Sequence, residues 1–202
     1  MAVYPAPEHQ SAKLSSSIEK RTDSMGRFFV GVVIGVVLVV VAALLWVRLG
    51  IVNPRADIPV SHFEMSMAMP ALDAAVDRRA PKVTNPVQPT DANLIAGMKL
   101  YQTNCASCHG DIRQPDSMFA EALYPRAPQF MKDSPDMPEN QNFFIIEHGV
   151  RLSGMPAWGK ILSEQQAWQL TTFLSHMDKL PPDLAAQWKA LAEPNPEQGP
   201  SQ

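Results

Sequence analysis

The chain has two cysteines, and they stand together as Cys105-Ala106-Ser107-Cys108-His109. Two thiols in a C-x-x-C-H run have the spacing of covalent haem attachment. Lying one helical turn apart, they can add to the two haem vinyl groups while the adjacent imidazole reaches the iron. On this reading Cys105 and Cys108 carry the group and His109 is the proximal ligand. Two other chemistries use such a pair. A thioredoxin-type C-x-x-C sits at the end of a strand in a βαβ context, whereas this pair follows a helical pattern with no parallel-sheet signal. A zinc site needs more ligands than Cys105, Cys108 and His109 supply.

A haem that only passes electrons needs both axial positions filled, because an open iron binds oxygen, nitric oxide or peroxide. The residue opposite His109 therefore separates carrier from catalyst. Met98 and Met177 fall on apolar helix faces and read as core. Met118, Met131, Met137 and Met155 remain, and Met155 differs from the others because Gly154 and Pro156 fix a non-helical loop around it. A loop can present a thioether to iron where a helix buries it, so Met155 is the expected sixth ligand. The competing imidazoles are His148, which ends an expected helix where the dipole favours a solvent-facing histidine, and His176. The alternative class is a haem enzyme or gas sensor with an open or labile sixth position. It is disfavoured because no distal acid–base pair stands out near Met155.

The elements that position this chemistry begin with an anchor. Phe28 to Val47 is a run of 20 residues without charge, proline or amide, about 30 Å of helix and so the thickness of a bilayer core. No small-x-small cleavage site follows, which favours an uncleaved single transmembrane helix over a signal peptide. Lys13, Lys20, Arg21 and Arg27 precede the run and only Arg48 and Arg55 follow closely, so the N-terminus is expected in the cytoplasm and the remainder on the exported side. For a bacterial inner membrane that side is the periplasm. Residues 1–27 read as a disordered cytoplasmic leader, 28–49 as the anchor and 50–89 as a Pro-rich exported stalk. Within the stalk a short helix can start at Pro70. The stretch from His62 to Met69 reads either as an extended segment packed through alternate methionines or as a thioether copper site.

After the stalk the period becomes helical. Thr90 or Asp91 caps a helix with Leu94, Met98 and Tyr101 on one face, and Gly97 permits close approach of a second helix. A further helix is expected from Pro138 to His148, ended by Gly149. Another opens with the Ser163/Gln166 capping-box spacing and carries Ala167, Leu170, Leu174 and Met177 until Pro181. The domain over 90–180 is thus all-α, and 181–202 reads as a short helix from Leu184 to Leu191 with a disordered tail. With a net charge of -3 and eight basic against 11 acidic residues from Asp91 to Ala190, the chain is no nucleic-acid binder and has no strongly basic docking ring.

Residues 91–180 resemble a class I cytochrome c. The family's G-x-x-x-aromatic step before C-x-x-C-H-G is present as Gly97 to Tyr101 and Cys105 to Gly110. Its methionine loop is matched by His148 to Trp158, and its C-terminal helix by Ser163 to Lys179 with Trp168. The resemblance implies a cytochrome c fold wrapped around one covalently bound haem c, with iron held by His109 and Met155, and an electron-transfer role. It also implies a proline carbonyl accepting the free ring N–H of His109; Pro128 is preferred over Pro125 because Pro128-Gln129-Phe130 resembles the family's step. Tyr124, Arg126 and Trp158 are candidates for the haem propionates, with plain packing the other role open to the two aromatics. Expected partners are redox proteins such as a quinol-oxidising complex or a haem–copper oxidase, met either by a free anchored carrier or within a larger complex.

Overall fold

A computed structural model describes residues 8–51 and 53–192, and among these every regular element is helical. Two units are separated near residue 54. The first contains α1 (Glu8–Arg48), whose segment Gly26–Arg48 includes an 18-residue stretch of mean hydropathy 3.2 and has no buried residues, as suits a helix facing lipid. The helix also covers residues 8–27, where composition suggests a disordered leader. Once the apolar span pays the nucleation cost, propagation back through helix formers such as Ala12, Leu14 and Glu19 costs little. The first seven residues lie outside the described part.

The second unit holds α2 (His62–Arg79), α3 (Asp91–Asn104), α4 (Ala106–His109), α5 (Glu139–His148), α6 (Glu164–Leu174) and α7 (Pro182–Leu191), with short 3₁₀ turns at Phe119–Ala122 and Trp158–Lys160. Thr90 caps α3 by accepting from the Asn93 amide. This helix crosses α6 at Gly97, where a Cβ would lie 2.2 Å from the Gln169 carbonyl oxygen, so only glycine admits this approach. Leu94, Met98 and Tyr101 face Leu170 and Phe173 in the core, and Phe143 stacks on Trp168 at 3.8 Å between centroids.

Three boundaries differ from the sequence expectations. The segment taken as stalk enters the domain: α2 begins at Ser61, whose capping box with Glu64 outweighs Pro70 as the helix start, and it buries Val76 and Ala80. The His62-to-Met69 stretch is therefore helical rather than extended, with Met65, Met67 and Met69 each at least 43% exposed. Helix α6 stops at Leu174 instead of running toward Pro181. The side chains of Ser175 and His176 turn back to the carbonyls of Thr171 and Thr172, competing with the backbone for the same acceptors. Finally, α7 is core rather than appendage, since Leu184 and Trp188 are buried and Trp188 meets Tyr101 and Phe173 edge-on. Residues 193–202, expected as a disordered tail, lie outside the described part.

Candidate haem site

Cys105 ends α3 and starts the single turn α4, so both thiols and the imidazole follow directly from the helix that carries Gly97. Gly110 closes the turn at φ 81°, a conformation that favours glycine, and its carbonyl accepts from the buried Tyr101 hydroxyl at 2.7 Å. Burial pushes the Cys105 thiol up to about 12, with the nearby Cys108 adding to the effect. Among the described residues there is no group of three or more His, Cys, Asp or Glu side chains able to hold a metal ion.

His109 is 8% exposed, and its Nδ1 lies 2.9 Å from the Pro128 carbonyl, the proline preferred on sequence. Burial lowers the ring's proton affinity and the bond to Pro128 opposes that shift. With Nδ1 donating to Pro128, Nε2 becomes the free, basic nitrogen available to a metal. Two supports went unnoticed in the sequence. Phe130 stacks on the imidazole at 4.3 Å between centroids and 8° between planes, and its amide donates to the His109 carbonyl at 3.0 Å. Buried Gln129 ties the attachment turn to the following segment: Nε2 donates to the Cys108 carbonyl at 3.0 Å and Oε1 accepts from the Ser117 amide at 2.7 Å. The only sequence signal for either was their place directly after Pro128.

Met155 sits half-buried in the loop that follows α5. Gly149, at φ 66°, ends that helix, and a Cβ there would come within 2.6 Å of the Met155 carbonyl oxygen; glycine thus lets the loop close on the helix end. The Val150 amide donates to that carbonyl at 3.1 Å, and the Ser153 hydroxyl accepts from the Met155 amide at 3.1 Å. From the other side Leu123 packs on Gly154, with Cδ2 2.8 Å from where a Cβ would stand. His148 is 55% exposed beside Glu147, and His176 bonds Thr172 on its own helix end, so both imidazoles have the ordinary roles open to them.

The residues expected at the haem propionates have partners within the chain. The Tyr124 hydroxyl donates to Glu64 of α2 at 2.8 Å, and Arg126 pairs with Glu121 at 2.7 Å and Asp116 at 3.3 Å. The polar ends of both are therefore engaged with carboxylates of this chain. Lys132 joins the group on Asp116, and that lysine, followed by Arg126, holds the carboxyl below its usual range. Trp158 is half-buried in its 3₁₀ turn and packs against the core.

Against known families, residues 92–174 match the family described as cytochrome c oxidase, cbb3-type, subunit III. Over this segment, 83 of the 202 residues, the chain matches a class I c-type cytochrome domain. No curated protein matches the chain. Among solved structures, a chain of the reducing HAO-like protein complex from Kuenenia stuttgartiensis is 22% identical with a TM-score of 0.39, over 57% of this chain and 60% of that one. The present chain thus spans less than two thirds of that protein's length.

A cytochrome c domain implies haem c, and the residues present fit it. The donor set is the test: a buried imidazole whose Nδ1 is already committed to Pro128, a turn presenting two thiols that form no disulfide, and a methionine loop seated on a glycine. Cys105 and Cys108 would hold the group covalently, with His109 and Met155 at the iron. When bound, haem c supplies one-electron chemistry at its iron.

Proposed function

We propose that the chain is a membrane-anchored mono-haem cytochrome c that passes single electrons between respiratory-chain partners on the periplasmic side of a bacterial inner membrane. What carries this reading is the Met155 loop seated on Gly149, because a sixth position filled from a braced loop suits transfer and excludes exogenous ligands. The anchor over Gly26–Arg48, with its basic residues mainly on the N-terminal side, supports an N-in orientation with the cytochrome domain exported. An anchored domain meets membrane complexes at raised effective concentration, which suits a quinol-oxidising donor and a haem–copper oxidase acceptor, or a fixed place in such an assembly.

This chain's residues do the positioning. Pro128 orients His109, Phe130 shields the imidazole face, and Gln129 holds the turn bearing the thiols. The domain is slightly acidic and Arg126 is paired with Asp116 and Glu121, so docking relies on a small, weakly charged contact of the kind that releases quickly. A spectroelectrochemical titration of the purified full chain tests the proposal. We expect one reversible transition of about one electron per chain. An irreversible wave, or transitions requiring more than one haem, would count against it.

A further inference from the structure

Helix α2, which precedes the cytochrome domain in the chain, is bonded to the start of α5 and to Tyr124. Near its C-terminus Val76 and Ala80 are buried, the Gln141 amide donates to Asp77 at 3.3 Å, and the Asn140 amide donates to the Pro81 carbonyl at 3.0 Å. Those partners, Asn140 and Gln141, stand in the first turn of α5, at the end of that helix remote from Gly149 and the Met155 loop. Near its N-terminus, Glu64 Oε2 accepts from the Tyr124 hydroxyl at 2.8 Å. Tyr124 directly follows Leu123, the residue packed on Gly154. One helix therefore joins the start of α5 to the segment whose Leu123 backs the Met155 loop.

The loop itself needs holding. Leu152 lies at φ 62° with 89% exposure, a left-handed conformation unfavourable for leucine that no packing of its own side chain offsets. The apolar grip of α2 is confined to its second half, since residues 61–71 are all exposed. Its N-terminal half is therefore fastened to the domain by the Glu64–Tyr124 bond, and Glu64 also closes the capping box with Ser61.

We infer that α2 is a strap that keeps the Met155 loop closed, with Glu64 and Tyr124 as positioning residues acting on the sixth ligand through Leu123. This rests on Met155 being that ligand. Breaking the bond frees Tyr124 and Leu123 to shift, Gly154 loses its backing, and the thioether yields more readily to a competing ligand. The capping role of Glu64 is separable, because Tyr124→Phe removes the latch and leaves the cap intact.

The probe is imidazole titrated into the oxidised, haem-loaded full chain, with Met155→Ala as reference. We expect Tyr124→Phe and Glu64→Ala to raise imidazole affinity between about twofold and fivefold, as loss of an exposed charged hydrogen bond allows. Glu64→Gln, which keeps an acceptor for the tyrosine, restores wild-type affinity, and the Glu64→Ala/Tyr124→Phe pair adds nothing beyond either single change. A purely structural role would lower the melting temperature of Glu64→Ala without moving imidazole affinity in Tyr124→Phe. Wild-type affinity in Tyr124→Phe, alongside tight binding in Met155→Ala, overturns the strap alone. If Met155→Ala itself binds imidazole no better than wild type, the ligand assignment falls and the strap with it.

Discussion

Replacing Gly97 by alanine is expected to lower the melting temperature of the haem-loaded protein by about 5–15 °C, corresponding to roughly 2–4 kcal/mol. Two effects compete. Alanine gains about 1 kcal/mol over glycine in a helix interior. Against this, the new Cβ would stand 2.2 Å from the Gln169 carbonyl oxygen and 2.7 Å from the Phe173 Cβ. The first neighbour is backbone and cannot rotate away, so α3 and α6 must part along the crossing that buries Met98, Tyr101 and Leu170. Overlap of this size outweighs the propensity gain. Valine, bulkier and β-branched, should prevent stable folding. A calorimetric scan decides it; an alanine variant as stable as wild type would mean that the helices do not approach as closely as described.

The second large effect concerns attachment. With Cys105 and Cys108 both changed to alanine, denatured chain resolved on a gel should retain no haem, against about one per chain in wild type, as read by in-gel haem peroxidase staining. Each single variant keeps one thiol and should retain stain at reduced yield. The two positions are not equivalent, since Cys105 is buried at the end of α3 while Cys108 is partly exposed. Alanine at Cys105 leaves a small apolar side chain inside the core, so the single variant should still fold. Haem persisting on the denatured double variant would contradict thioether attachment.

Much of this site could be read from the chain because its signals are local. The attachment turn is contiguous, Gly149 and Gly154 mark the loop around Met155, and Pro128 is picked out by the resemblance of Pro128-Gln129-Phe130 to the cytochrome c step. The capping pair Ser163/Gln166 likewise names its own helix start. What escaped the reading depends on tertiary contact. Glu64 and Tyr124 meet across an interval of 60 residues, and no periodicity announces such a bond. The stalk was misjudged because prolines suggest extension, whereas Ser61 and Glu64, a capping box in plain view, start a helix that continues through Pro70. Trp188 belongs to the core because Tyr101 and Phe173 offer edge-to-face partners, which a helix beyond Pro181 does not reveal by itself.

The most direct test of the central claim is the visible spectrum of the reduced full chain before and after carbon monoxide, with Met155→Ala measured alongside. We predict an unchanged wild-type spectrum and a variant that binds carbon monoxide, as expected for an iron closed by His109 and Met155 in an electron carrier. A wild-type protein that itself binds carbon monoxide would contradict the account and indicate an open or labile iron, the site of a haem enzyme or gas sensor.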